Sequence, residues 1–255
     1  MSRVLVLGAS GFLGSHLCDA LLARGDEVVG IDDQSSSDGS NISHLEGHSA
    51  FTFFRGDICD GIRVAGKVDS VLNFASPASP PRYSAIPVHT LRTGSLGTEN
   101  ALRFALENDA RFVMASTSEV YGDPTVSPQS EKYWGNVNSV GERSCYDEAK
   151  RYSEALCMAF SRQYDANVGI VRIFNTYGPR LDKEDGRVVS NFVCQALRGE
   201  DLTVYGDGLQ TRSFCYVDDE IRGILALMDS NEQGPINFGN PHEFTMLELA
   251  EIVLE

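Results

Sequence analysis

The stretch Arg3-Val-Leu-Val-Leu7 running straight into Gly8-Ala-Ser-Gly11-Phe12-Leu13-Gly14 decides the fold. A short strand meets three regularly spaced glycines, and an apolar-periodic helix over about 12–24 follows them. Glycine at these positions makes the tight turn, lets a pyrophosphate approach the backbone, and brings the helix close to the strand. Such turns are common, so the context carries the argument. The turn follows the first strand, opens a helix, and a second apolar run, Glu27-Val-Val-Gly-Ile31, ends at Asp32. A carboxylate at that strand end can accept both ribose hydroxyls and repels a 2′-phosphate, which favours NAD over NADP. Gly8, Gly11, Phe12, Leu13, Gly14 and Asp32 are therefore the expected cofactor cradle. Asp33 is the weaker choice, since Asp32 directly follows the last strand residue. Asp57 and Ile58, after the third strand, read as an adenine-side contact, with an ordinary turn aspartate an equal reading of Asp57.

Working outward, apolar runs at 51–54, 70–74, 111–115 and 169–174 alternate with helical patterns over about 93–107 and 142–164. Continuous apolar strands separated by helices predict an α/β fold, a Rossmann-type doubly wound parallel sheet covered on both faces. Residues 1–174 form the expected NAD-binding domain. After Asn175, loops rich in Gly, Asp and Pro suggest a smaller C-terminal substrate-binding lobe over 175–255, interleaved with the core. The helical pattern that begins near Thr245 stops at Glu255 in mid-period, as in a truncated chain.

Composition limits the partners. A hydrophobic share of 42% and a charged share of 22% match a globular domain. The net charge of −15 argues against nucleic acid or anionic membrane as a partner. An anionic ligand would then need a local site of backbone N–H groups and a few arginines. Cysteines 18, 59, 145, 157, 194 and 215 show neither a CxxC pair nor a Cys/His cluster, so no metal site and no disulfide framework are expected. Free thiols, no leader pattern and no bilayer-length apolar segment predict a cytoplasmic location.

Two further segments carry chemistry. At the end of the run Arg111-Phe-Val-Met-Ala115 comes Ser116-Thr117-Ser118-Glu119, two hydroxyls and a carboxylate arriving together at a strand end. Tyr146-Asp-Glu-Ala-Lys150 puts a phenol and an ammonium four residues apart on one helix face. A lysine cation there is expected to lower the tyrosine pKa toward working pH and make Tyr146 a proton acceptor. Neither segment means much alone; with the glycine turn they define a hydroxyl-oxidising site.

These motifs, with NFASPASPPRY, STSEVYGDP, RIFNTYGPR, DGRVVSNF, LTVYGDGLQTRSF and NFGNPHEFT, cover nearly the whole chain. The chain resembles the extended short-chain dehydrogenase/reductases, and among them is similar to the UDP-glucuronate decarboxylases, also called UDP-xylose synthases. The resemblance implies an NAD-dependent enzyme acting on a UDP-sugar. Oxidising C4 of a uronic acid sets a ketone β to the C6 carboxylate, and CO2 then leaves because its electron pair enters an enolate. It also implies roles: Tyr146 as base at O4, Lys150 as its partner and ribose anchor, Thr117 as a hydrogen bond to O4, and Ser118 and Glu119 near C5 and C6. Arg212 would meet the carboxylate or the diphosphate, Asn175 the diphosphate, and Tyr83 the sugar acid. Arg180, Val189, Tyr205 and Gln210 would lie on the nucleotide side, with small-lobe packing an equal reading of Val189 and Tyr205.

Two departures stand out. Gly94 occupies a position where the resemblance leads one to expect asparagine, and Asp182-Lys-Glu184 makes a loop more charged than usual. The rival readings are a nucleotide-sugar 4,6-dehydratase, which needs an acid where Ser118 stands, a 4-epimerase, which needs no carboxylate-binding arginine, and a non-catalytic nucleotide-binding scaffold. A homodimer built on the two long helices is the expected assembly.

Overall fold

In the computed structural model, which describes residues 1–255, the apolar runs of the first half become neighbouring strands. The elements in chain order are β1 (Arg3–Leu7), α1 (Phe12–Ala23), β2 (Glu27–Asp32), β3 (Phe51–Arg55), β4 (Ser70–Asn73), α2 (Pro80–Ala85), α3 (Pro87–Arg92), α4 (Thr98–Asn108) and β5 (Arg111–Thr117). They continue with α5 (Ser144–Tyr164), β6 (Val168–Ile173), β7 (Thr176–Tyr177), α6 (Val188–Arg198), β8 (Thr211–Ser213) and β9 (Cys215–Tyr216). The last are α7 (Val217–Met228), β10 (Ile236–Phe238), β11 (Glu243–Thr245) and α8 (Met246–Leu254).

Seven strands form one parallel sheet in the order β3-β2-β1-β4-β5-β6-β10. Period-two alternation along β1 shows why both faces are covered. Leu5 and Leu7 join the cluster under α4 and α5, with Ala101, Leu102, Cys157 and Phe160. Val4 and Val6 face the other way, toward Leu17 and Leu21 of α1 and Ile224 of α7. Chain order reverses between β1 and β4, and a ligand crevice forms at the carboxyl ends of the strands flanking such a switch point.

The helix expected over about 93–107 starts earlier and is not uniform. Pro87 opens α3, and residues Thr93–Gly97 form a π-helical turn before α4. Hydroxyls of Thr93, Ser95 and Thr98 bond back to carbonyls of the preceding turn, and Gly94 packs on α5. An extra residue in the turn blurs the 3.6 periodicity, which is why the pattern only becomes readable after it. Beyond β6 the chain leaves the sheet and returns. α7 and β10 rejoin the main layers, while α6, α8 and the short strands enclose Phe192, Phe214, Met246 and Leu249 in a second small cluster.

Candidate active site

A cleft of about 1060 Å³ opens along the carboxyl ends of the strands. Gly8, Gly11, Phe12, Leu13 and Gly14 line one end of it; Tyr83, Thr117, Ser118, Glu119, Tyr146, Lys150, Asn175, Arg180 and Arg212 line the rest. Fourteen residues proposed from sequence thus share one cavity, although they lie as far apart in the chain as Gly8 and Arg212.

The glycine end is dictated by backbone. Gly8 has φ +81°, and a Cβ there would come within 2.6 Å of the Phe74 carbonyl group. A Cβ on Gly14 would sit 2.0 Å from the Gly8 carbonyl oxygen, so α1 can approach β1 this closely only without one. α1 has no side-chain cap and no acidic residue in its first turn. Its first N–H groups and positive dipole end are therefore free for an anion, and the residues present fit a dinucleotide pyrophosphate.

At the end of β2, both Asp32 oxygens accept backbone N–H groups, from Ser10 at 3.0 Å and Gln34 at 2.7 Å. This carboxylate knits the glycine turn to β2; burial raises its pKa. Gln34, Ser35, Ser36 and Ser37, beyond it, are the residues that line the cleft. Asp57 caps a short 3₁₀ turn by accepting the Cys59 N–H at 2.8 Å, as a turn aspartate does, and the Ile58 side chain is buried in the core. The His89 imidazole bridges Asp33, at 2.9 Å, and Asp57, at 3.9 Å.

At the other end, Tyr146 is buried and stacked on Tyr83, with ring centroids 5.0 Å apart and planes 7° from parallel. The Lys150 ammonium donates to the Ala115 carbonyl at 2.8 Å and lies 5.7 Å from the Tyr146 ring centre. Here the electrostatics correct the sequence expectation. Burial pushes the Tyr146 phenol up to about 12, opposed by the Thr117 hydroxyl, and pushes Lys150 down to about 8. In the free chain desolvation outweighs the help expected from the lysine, because both groups are largely buried. Asp147, on the next residue, is pushed up to about 6, first by burial and then by the nearby Glu119 charge.

Four arginines of the cleft are held by acids: Arg82 by Asp182 at 2.8 Å, Arg180 by Asp19, Arg187 by Asp185, and Arg143 by Glu119. The charged 182–184 loop thus tethers α2 through Arg82. Arg212 bonds only the carbonyl of Thr211, at 2.7 Å, and keeps its charge available. Beside it a smaller cavity of about 230 Å³ is lined by Asn175, Val189 and Gln210. Tyr205 is 73% exposed and lies outside both cavities, against its expected place on the nucleotide side.

Arg143 and Arg187 were missed from sequence. Arg187 stands inside DGRVVSNF, two residues from its partner Asp185, and Arg143 three residues before Tyr146; the pair of Arg143 with the distant Glu119 leaves no local signal. Gly94 acquires a reason: a Cβ there would meet the Ala149 Cβ at 2.6 Å, so α5 presses against the π turn where asparagine was expected.

A parallel sheet with a glycine turn at its switch point and a Tyr/Lys helix facing a Thr-Ser-Glu strand end defines a nucleotide-cofactor-dependent class of oxidoreductive folds. The chain belongs to the NAD-dependent epimerase/dehydratase family, whose model matches residues 4–239. UDP-glucuronic acid decarboxylase 1 of Arabidopsis thaliana is 53% identical over 253 residues, which is 99% of this chain and 58% of that protein. UDP-glucuronic acid decarboxylase 6 of the same plant is 51% identical over 254 residues, covering 99% of this chain and 74% of that one. The solved structure of UDP-glucuronic acid 4-epimerase from Bacillus cereus in complex with NAD matches with a TM-score of 0.86 and 30% identity, over 98% of this chain and 82% of that one. The chain thus spans less than two thirds of the first relative's length. No helix is long and apolar enough to cross a membrane.

Proposed function

We propose that the chain converts UDP-glucuronate to UDP-xylose and CO2 with NAD as a cofactor regenerated in each turnover. The observation that carries this reading is the strand end Thr117-Ser118-Glu119 sharing one cleft with Tyr146 and Lys150. A serine at 118 disfavours loss of water, which needs an acid there, and Glu119 beside a cationic partner suits a substrate that is itself an acid. Relatives named as UDP-glucuronic acid decarboxylases support the same reading.

NAD, held by Gly8 to Gly14 and by the residues at the end of β2, supplies hydride acceptance at C4 when bound. Tyr146 takes the proton of the O4 hydroxyl and returns it at the end, with the buried Lys150 charge holding the resulting phenolate. Thr117 orients O4. Ser118 and Glu119 attend C5 and C6, where a proton must be delivered once CO2 has gone. Arg212, with Gln210 and Val189 beside the second cavity, serves the diphosphate and nucleotide side, and Asn175 joins both cavities. The C-terminal lobe is assigned to the nucleotide sugar. Six free cysteines support a reducing, cytoplasmic setting. Val88, Leu91, Leu96, Tyr152 and Tyr164 are exposed on α3, the π turn and α5, and this apolar face supports a homodimer through those helices.

Incubation with UDP-glucuronate and NAD tests the reading. CO2 with UDP-xylose and no net NADH is expected. UDP-galacturonate without CO2 would make the chain an epimerase, and no turnover by a folded, NAD-bound chain would make it a scaffold.

A further inference from the structure

The ion pair between Glu119 and Arg143 lies inside the cleft and joins two elements. Glu119 follows β5, and Arg143 is the residue that starts α5. Asp147, one helical turn further along α5, is buried with one carboxylate oxygen lacking any hydrogen-bond partner. Tyr83, stacked on Tyr146, also has a buried hydroxyl without a partner, and Arg143 lies near it. Arg143 thus pairs with Glu119 while its charge also acts on the nearby Asp147, beside the expected base.

The next step rests on the decarboxylase reading, which puts O4 at Tyr146 and Thr117. C6 is bonded to C5, the neighbour of C4, so the carboxylate must lie close to those same residues. With Arg212 assigned to the diphosphate side, three cations of the cleft border that region: Lys150, Arg187 and Arg143. Lys150 is turned to the Ala115 carbonyl at 2.8 Å. Arg187 neutralises Asp185, whose side chain is only 5% exposed, and removing it would strand a buried charge. The Arg143 and Glu119 side chains are 54% and 36% exposed, and a pair that wet is weakly held. Arg143 is the cation that can change partners.

We propose that Arg143 selects the acid sugar by releasing Glu119 and taking the C6 carboxylate as a bidentate pair. The exchange leaves Glu119 without its counter-ion, facing Asp147 and the incoming carboxylate, with Arg187 the remaining cation nearby. The freed Glu119 then stands beside the sugar, on the side where C5 needs a proton once CO2 has gone. A neutral sugar cannot compete for the guanidinium and leaves the Glu119 latch closed. Recognition of the acid and release of Glu119 toward C5 are thereby the same event.

Titration calorimetry with NAD present, in a Tyr146→Phe background so that sugar is not consumed, separates the outcomes by comparing UDP-glucuronate with UDP-glucose. Arg143→Gln is expected to weaken UDP-glucuronate by about 10- to 100-fold, the range of a lost charged hydrogen bond, and to leave UDP-glucose unchanged. Arg143→Lys should recover part of the loss. Glu119→Gln frees the guanidinium and should tighten UDP-glucuronate, a gain that disappears once Arg143→Gln is added. Equal weakening of both sugars, unchanged affinity in an Arg143→Gln protein with native circular dichroism, or a Glu119→Gln gain that survives without Arg143 overturns the proposal. CO2 release by the unmutated chain is measured separately. Its absence alongside a charge-selective Arg143 effect would overturn the decarboxylase reading and leave this one standing.

Discussion

The two ends of the cleft are built by different means. At the glycine end, backbone does the work: a turn with φ +81° at Gly8, the uncapped start of α1, and the N–H groups of Ser10 and Gln34 that Asp32 ties together. At the Tyr146 end, the proposed sugar side, Tyr83, Glu119, Tyr146, Asn175, Arg187 and Arg212 come from well-separated segments, with Tyr83 stacked on Tyr146 and Glu119 paired with Arg143. Backbone geometry tolerates almost no substitution and serves one ligand shape. Side-chain geometry can be exchanged residue by residue, so one cofactor platform can serve several sugar chemistries.

The sharpest way to break the comparison is to disable one end only. Tyr146→Phe should lower CO2 release by about 10³-fold or more while NAD affinity stays near that of the unmutated chain, measured by turnover and by NAD titration. Normal turnover in this variant would remove Tyr146 from the mechanism. Gly14→Ala attacks the other end. Its Cβ would stand 2.0 Å from the Gly8 carbonyl oxygen, so α1 must move. A loss of about 2–3 kcal/mol in stability and a matching fall in NAD affinity are expected, checked by urea unfolding with and without NAD. Unchanged NAD affinity would mean that the close helix approach is not needed.

A third test lies behind the sugar end, where α5 meets the π turn. Gly94→Asn should destabilise the chain by about 1–3 kcal/mol, because Ala149 occupies the space. Adding Ala149→Gly should restore much of that loss; if it does not, the Ala149 contact is not what excludes asparagine.

The smallest effect concerns pH. Glu220, buried between α7 and Thr176, is pushed up to about 7 by burial. The folded chain then holds a proton that the unfolded chain releases, so this contribution is full below the ordinary glutamate pKa and is lost as pH rises through 7. Asp147, at about 6, acts with the same sign over a lower window. Glu220→Gln should therefore raise stability at pH 8 by on the order of 2 kcal/mol and change little at pH 4, read from urea midpoints at both values. A gain of equal size at both would assign the effect to packing.

Particular residues show how much was legible beforehand. β1, β2, α1 and α5 fall within about two residues of their expected bounds, because long apolar runs and strong helical periodicity leave little choice. Tyr146, Lys150 and Thr117 stood out because two of them share a helix face and the third ends an apolar strand, and the structure brings all three to one cleft. The lowered pKa that an i, i+4 lysine promises for Tyr146 is opposed by burial, which pushes the phenol up to about 12 in the free chain. Tyr205 is exposed and lines neither cavity.

What this sequence determined by itself was the parallel sheet, the glycine cradle and the presence of a Tyr/Lys pair. These depend on local spacing: period two in strands, period 3.6 in helices, and the backbone angles open only to glycine. Tertiary structure alone decided that Arg143 holds Glu119, that Arg212 stays available, and that Gly94 is compelled by Ala149. Those facts depend on which distant atoms share a few ångströms and how much water remains between them, and neither distance nor desolvation is written in the order of residues.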